Sequence, residues 1–392
     1  MLTADTGDRI DAILTEATGS GRLPGVTFGV FDRAGVQYQG AFGSADLSTG
    51  TPMALDSVVA IMSMTKPLAG VACLQLVETG LLDLDQPARE ILPELGDVAV
   101  LGGFDGDQPI LRAPRTEITL RNLLTHSSGF VYEIWNANQA HYLSVTGRSG
   151  VSGGTRADYH QPLAFDPGDR WEYGIGIDWA GMMAEAVTGI ALEDLMARRI
   201  FEPLGMVDTS YRLSDAMAAR RATLHTRNKE GRFRASTADP IGKDREFNGG
   251  GGGLFSTLDD YGRFVRMILN GGELDGVRIL SPEMVATASV NQMGDLRVTM
   301  LPSNVQAASA DAEFFPGVPK GWGLSFQINL EDAPTGRSAG SLSWAGLDNT
   351  FFWIDPIRGI GGVFLTQTLP FADADVLSVA DAAEAAVYDG LR

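Results

Sequence analysis

Ser63-Met64-Thr65-Lys66 is the strongest chemical signal in this 392-residue chain. A serine and a lysine three positions apart share one face of a helix. A serine hydroxyl is a weak nucleophile at its own pKa and needs an adjacent base. A lysine becomes that base once burial or a neighbouring cation lowers its pKa toward neutrality. A helix starting at Ser63 also aims backbone N–H groups at a developing oxyanion. The same spacing arises by chance, as a surface lysine one turn past a capping serine. Against that reading, the chain has only four lysines, Lys66, Lys229, Lys243 and Lys320. Lys66 stands directly before Pro67 and the apolar run Leu68–Val77, where a solvated charge is out of place.

Two further segments fit the same chemistry. In Asp166-Pro167-Gly168-Asp169-Arg170-Trp171-Glu172-Tyr173-Gly174-Ile175-Gly176, a Pro-Gly turn leads into a short extended piece. Gly174 and Gly176 let the backbone bend sharply after Tyr173. A tyrosine held beside an ammonium loses its proton more readily and can act as a general base. Locally, the segment fits a core tyrosine under a turn equally well. In Gly340-Ser341-Leu342-Ser343-Trp344-Ala345-Gly346-Leu347-Asp348-Asn349, a strand ends in small residues. A ligand can lie along such an edge, with the Leu347 N–H as a second oxyanion donor. A plain edge strand and turn would read the same way.

Other signals carry less. Gly336-Arg337-Ser338-Ala339-Gly340 matches the G-x-S-x-G elbow, which needs a strand before it, a helix after it and a later histidine. The last histidine is His225, and a strand follows, so Ser338 reads as part of a turn. The run Gly249–Gly253 lacks the Gly-Lys-Ser/Thr of a nucleotide loop and reads as backbone bordering a site. His126, His141, His160 and His225 have no metal-type spacing, so no metal is expected. His126, in the Thr125–Gly129 turn, reads as a hydrogen-bonded structural residue. Tyr132, Trp135, Phe314, Phe315 and Trp322 are core aromatics or walls of an apolar acyl or alcohol pocket.

These groups must be carried by elements that the patterning outlines. Residues 8–18 have apolar positions at helical spacing. Gly25–Phe31 and Val36–Phe42 read as strands joined by a hairpin turn at Asp32–Gly35. Near the other end, Ser341–Ala345, Thr350–Ile354 and Gly361–Gln367 read as strands, followed by a helix over Val376–Tyr388. Residues 64–80, 118–125, 178–188, 191–199 and 258–270 read as helices, and 144–161 as a turn-rich surface loop. Both chain ends are therefore expected in one antiparallel sheet flanked by helices, an α/β (α+β) class. The expected division is an α/β sheet domain over 1–60 and 321–392. A mostly helical insertion over 61–320 would carry the Ser-x-x-Lys helix and the tyrosine motif.

Composition limits the partners. The formal charge is −19, with 30 basic and 49 acidic residues. A nucleic-acid or anionic-membrane partner needs a basic patch, so neither is expected. Cys73 is the single cysteine and sits in the apolar run after Lys66, which leaves no intramolecular disulfide or thiolate metal site. No basic n-region precedes an apolar one at the N-terminus, and no apolar run reaches membrane-spanning length. The expectation is a soluble cytoplasmic protein acting on a small molecule without a cofactor.

The three segments, in this order, resemble the serine β-lactamase and penicillin-binding-protein-like superfamily, and most closely its family VIII carboxylesterases. The resemblance covers most of the chain and includes Leu120–Phe130, Asn248–Asp260 and the block from Trp344 to Gln367. It implies a β-lactamase/transpeptidase-like fold with Ser63 as nucleophile, Lys66 as its partner and Tyr173 as base or proton relay. It implies an oxyanion hole from the N–H groups of Ser63 and Leu347, with Tyr132, Trp344, Ala345 and Gly346 contacting substrate. The departures favour an uncharged ester. Tyr173-Gly174-Ile175 stands where class C β-lactamases have Tyr-x-Asn, and Trp344-Ala345-Gly346 where they have Lys-Thr-Gly. Ala345 also departs from the commoner Trp-Gly-Gly of the esterases. The reading is a serine hydrolase of short-chain or small-molecule carboxylic esters, working through an acyl-enzyme. Alternatives on the same residues are β-lactam or D-amino-acid peptide hydrolysis and acyl transfer to an alcohol or amine. A non-catalytic scaffold would retain the fold without the chemistry.

Overall fold

In the computed structural model, residues 2–238 and 245–391 are described, and Lys243 lies outside them. The chain ends meet in one eight-stranded sheet. Its order is Lys320–Trp322, Gln327–Asn329, Leu342–Gly346, Thr350–Asp355, Ile360–Leu365, Gly25–Asp32, Val36–Asp46, Thr51–Pro52. Neighbouring strands are antiparallel throughout. The Asp32 carboxylate fixes the first hairpin by accepting the N–H groups of Ala34 and Gly35, each at 2.8 Å.

The near-continuous apolar runs of the central strands have a physical cause, because this sheet is covered on both faces. On one face the helices Ala4–Gly19 and Ala374–Gly390 pack together over Val26, Phe28, Trp353 and Phe364. On the other, the helix Leu258–Leu269 packs against Gly25–Asp32 and Ile360–Leu365. The helix Thr65–Glu78 is buried from Thr65 to Leu74, which explains why its sequence has no polar stripe. It packs on the helix Gly176–Thr188. Both belong to a core that also takes in Trp344, Phe352 and Leu365 from the sheet. Sheet and helical layers thus share one hydrophobic interior.

Several elements differ from the sequence expectation. The stretch 144–161 is not a plain loop. The helix Ala137–Thr146 ends at Gly147 in the left-handed conformation, and a 3-10 turn Gly150–Gly153 and a helical turn Arg156–Tyr159 follow. Thr155 and Asp158 form a capping box there, so residues that look turn-forming are helix caps. The helix expected over 191–199 is Leu192–Met196, continued by a π-turn Ala197–Phe201. Gly336–Gly340 is a turn entering a strand, as expected, with the Ser338 N–H donating to Asp355 at 2.9 Å. Among the described residues no helix is long and apolar enough to cross a membrane.

Candidate active site

Ser63 sits in a 3-10 turn, Met62–Met64, that runs straight into the helix Thr65–Glu78. Met62 has φ 46°, a left-handed conformation that costs energy for a side chain of this kind. Such a residue persists only where its surroundings hold it. Here the Ile61 N–H donates to Leu254 O at 3.0 Å, and the Tyr261 hydroxyl donates to Met64 O at 3.0 Å. The strand Leu342–Gly346 presses on the same turn. A Cβ on Gly346 would lie 2.3 Å from Ile61 O, so only glycine lets the strand end come this close. That approach brings the Leu347 turn to the cleft that Ser63 also lines.

Lys66, one turn along, is fully buried. Its Nζ donates to Gly251 O at 2.6 Å, Tyr132 OH at 3.1 Å and Ser63 Oγ at 3.2 Å. It also lies near the ring faces of Tyr173 and Tyr132, 4.7 and 5.1 Å from their centres. Burial pulls the Lys66 pKa down to about 7, against the opposing charge of Asp178. A large fraction of this amine is therefore neutral near physiological pH, the requirement for a base.

Tyr173 completes the cluster from the residues just before the helix Gly176–Thr188. It is buried, and its phenol oxygen accepts the indole N–H of Trp344 at 3.1 Å. Burial raises its pKa; hydrogen bonds with Ser63 and Trp344 oppose the rise. Tyr132, Trp135, Trp344 and His126 pack around its ring at 4.6 to 5.5 Å. The Nδ1 of His126 accepts the Gly174 N–H at 3.3 Å, which assigns its proton to Nε2. Burial, reinforced by the Lys66 charge, pushes the His126 pKa well below its usual value, so the ring is neutral. It is a structural histidine that clamps the backbone next to Tyr173.

The cleft beside Ser63 holds about 660 Å³ of non-atom space, solvent at its open mouth included. Met62, Ile134, Trp135, Val151 and Leu347 give it an apolar side; Tyr159, Asp178 and Arg245 give it a polar one. Of the residues expected from sequence, Ser63, Tyr132 and Leu347 line it directly. Trp344, Ala345 and Gly346 are not among the residues that wall it. Trp344 instead faces Tyr173 and a neighbouring cavity with Phe314, Phe315 and Phe351, Ala345 pairs with Phe351 in the sheet, and Gly346 backs onto Ile61. Trp322 is buried beside Trp344 and His126, with its N–H on Leu124 O at 3.2 Å.

The glycine run does border the site, and the reason is Asp178. A Cβ on Gly249 or Gly251 would each fall 2.2 Å from an oxygen of that carboxylate. The Gly251 N–H donates to Asp178 Oδ1 at 2.9 Å. Asp178 was hidden in sequence as one residue of a helix, although a single acid amid Ile175–Ala184 was itself an anomaly. Val151 and Tyr159 were missed because their segment reads as loop. Among the described residues no group of three His, Cys, Asp or Glu side chains has the geometry to hold a metal ion.

An antiparallel sheet closed from both chain ends, with a Ser-x-x-Lys turn seated against its strand Leu342–Gly346, is the architecture of serine β-lactamase and penicillin-binding-protein-like enzymes. The chain belongs to the beta-lactamase family, whose model matches residues 10–386. It is similar to monacolin J acid methylbutanoyltransferase from Aspergillus terreus, 30% identical over 98% of this chain and 96% of that protein. It is also similar to lovastatin esterase from Penicillium rubens, 32% identical over 94% of this chain and 95% of the relative. The solved structure of simvastatin synthase from Aspergillus terreus superposes with a TM-score of 0.84 at 29% identity, covering 98% of both chains. At the level of the family, this is an enzyme of serine hydrolase or acyltransferase type.

Proposed function

We propose that the protein is a serine carboxylesterase that forms an acyl-enzyme on Ser63. The observation that carries this reading is the buried Lys66 amine, 3.2 Å from Ser63 Oγ, with a pKa drawn down to about 7. The neutral amine takes the Ser63 proton as Oγ bonds to the ester carbonyl carbon. The N–H groups of Ser63 and Leu347 receive the oxyanion. When the tetrahedral intermediate collapses, the bond to the alcohol oxygen breaks and that oxygen regains a proton through Tyr173. Water then attacks the acyl-enzyme by the reverse proton path, releasing the acid and restoring Ser63. The apolar wall of Met62, Ile134, Trp135, Val151 and Leu347 suits a small uncharged acyl or alcohol group. No cofactor enters this sequence.

Acyl transfer is the second reading, supported by the methylbutanoyltransferase likeness. It differs only in the last step, where an alcohol replaces water. β-Lactam hydrolysis is less well supported, because Trp344-Ala345-Gly346 stands at the sequence position of the class C β-lactamase Lys-Thr-Gly. The test is turnover of 4-nitrophenyl butyrate with mass spectrometry of the trapped intermediate. The expected result is a mass increase of one acyl group on Ser63 and no turnover in Ser63→Ala. Retained turnover in that variant would remove Ser63 from its role. Added alcohol distinguishes the two readings by whether an ester product appears, and nitrocefin tests the third.

A further inference from the structure

Asp178 is a buried carboxylate that makes no direct contact with Ser63 in the hydrogen-bond network above. Two observations connect it to the chemistry. The first is a link through one residue, Gly251, whose two flanking peptide groups each carry one bond. Asp178 Oδ1 receives the Gly251 N–H at 2.9 Å, and Gly251 O receives the Lys66 ammonium at 2.6 Å. The second is the shape of the loop around it. Gly249 and Gly251 lie against the carboxylate so closely that a Cβ on either would overlap it, and the Tyr211 hydroxyl holds Gly249 O at 2.8 Å. The chain has five consecutive glycines where the loop wraps this one side chain.

We propose that Asp178 is the positioning residue for Lys66: it fixes the Gly251 carbonyl that grips the amine, and its carboxylate is the counter-charge to the ammonium formed when Ser63 is deprotonated. This rests on the acyl-enzyme reading for its role in turnover, though not for its effect on Lys66. The other groups facing the pair do not supply that charge. Tyr132, Tyr159, Tyr173 and Tyr211 are held protonated, burial being the largest cause in each. His126 is neutral, and Arg245, which lines the same cleft, is a cation. Burial raises the carboxyl pKa of both Glu133 and Asp178, but only Asp178 is drawn back down by the Lys66 charge, by the Gly251 N–H and by Arg245.

The sign follows from the charges. A negative group near an ammonium stabilises the protonated form, so removing the charge lowers the Lys66 pKa further. Asp178→Asn keeps an oxygen for the Gly251 N–H and removes only the charge. Asp178→Ala removes both. The direct readout is NMR titration of enzyme carrying 13C at the lysine ε-carbons, four signals in all. Lys66→Met assigns the one of interest. In Asp178→Asn the Lys66 midpoint should drop by about one unit, and the pH–rate limb set by Lys66 should move down with it. Asp178→Ala should lose a further ~10-fold or more in kcat on 4-nitrophenyl butyrate, with KM little changed, as the carbonyl drifts. If Asp178→Asn does not fold, Asp178→Ser, still an acceptor without charge, takes its place. An unmoved Lys66 midpoint in a folded variant overturns the proposal, as does Asp178→Ala with wild-type kcat. Failure of the acyl-enzyme reading registers separately, as turnover by Ser63→Ala.

Discussion

Trp344 offers a sharp test, because its position in sequence suggested an apolar wall and its position in space gives it a polar task. Its indole N–H points at the Tyr173 oxygen at 3.1 Å, in a buried site. Trp344→Phe keeps a ring against Tyr173, Trp322 and Phe314 while deleting that donor. In the resting enzyme the bond links two neutral groups and contributes about 0.5–1.5 kcal/mol. As charge builds on the phenol oxygen during proton transfer, the same bond contributes about 1.5–3 kcal/mol. Only the difference between the two, about 1–1.5 kcal/mol, reaches kcat, so losing the bond should reduce kcat by roughly 5- to 10-fold, since about 1.4 kcal/mol is tenfold. KM should change little, because Trp344 is not part of the wall of the Ser63 cleft. The Tyr173 pKa should also rise, since the indole bond opposes the rise caused by burial. The assay is steady-state hydrolysis of 4-nitrophenyl butyrate from pH 6 to 9, with melting temperature measured in parallel. Trp322→Phe is the control: it removes a similar volume nearby, but its N–H serves Leu124 O. It should lower the melting temperature and leave kcat within a few-fold. If Trp344→Phe keeps kcat within twofold of wild type, the indole bond has no part in proton transfer.

If neutral Lys66 is the base, kcat/KM should climb as pH rises through about 7 and then level off. A flat profile from pH 6 to 8 would dismiss the amine as base. Gly249→Ala should lower stability by about 1–3 kcal/mol in chemical unfolding, because its Cβ has no room beside Asp178. An unchanged midpoint would mean the loop yields freely. Asp348 is fully buried with neither carboxylate oxygen hydrogen-bonded, and burial, partly offset by Arg221, pushes its pKa up to about 8. Between its unfolded value near 4 and that value, the folded state holds a proton the unfolded state gives up, so stability falls as pH rises. Asp348→Asn should remove this slope and raise stability at pH 8 by a few kcal/mol, on the order of the linkage cost. Matching pH dependence of unfolding in the two proteins would contradict it.

How much of this was readable in advance depends on how local each interaction is. Ser63 and Lys66 stood out because their spacing is local and because Lys66 precedes an apolar run, a conflict that burial resolves. The central strands were legible from continuous apolar stretches, since a sheet covered on both faces leaves no alternation to obscure them. Tyr173 was not decided by its own segment. A core tyrosine and a candidate proton relay look alike in that segment, and only a resemblance spanning the chain marked Tyr173 as the second; the structure shows it buried and hydrogen-bonded with Ser63. The Gly249–Gly253 loop could be placed at a border but not explained. Its cause, Asp178, lies about seventy residues earlier and touches it only in three dimensions. Residues 144–161 failed for the opposite reason, since Gly147, Gly154 and Thr155 read as turn formers and act as helix ends.

Burial acts in one direction on the groups at the centre of this site, and that direction selects a resting state. It lowers the pKa of Lys66 and raises those of Tyr132 and Tyr173. Each shift favours the uncharged form, as a low dielectric requires. Above a pH of about 7 the cluster therefore waits largely as amine, hydroxyl and phenol rather than as ammonium and phenolate. From that state the amine is the group with an empty site for the Ser63 proton, and the phenol is the group with a proton to give. On the proposed acyl-enzyme reading, Lys66 then starts acylation and Tyr173 serves the departing alcohol. The interaction between the two means that any measured pKa belongs to the pair, not to one residue. What separates them is the perturbation: removing the Asp178 charge should move Lys66 first, whereas removing the Trp344 donor should move Tyr173 first. Two variants that shift the rate profile in opposite directions would assign one limb to Lys66 and the other to Tyr173.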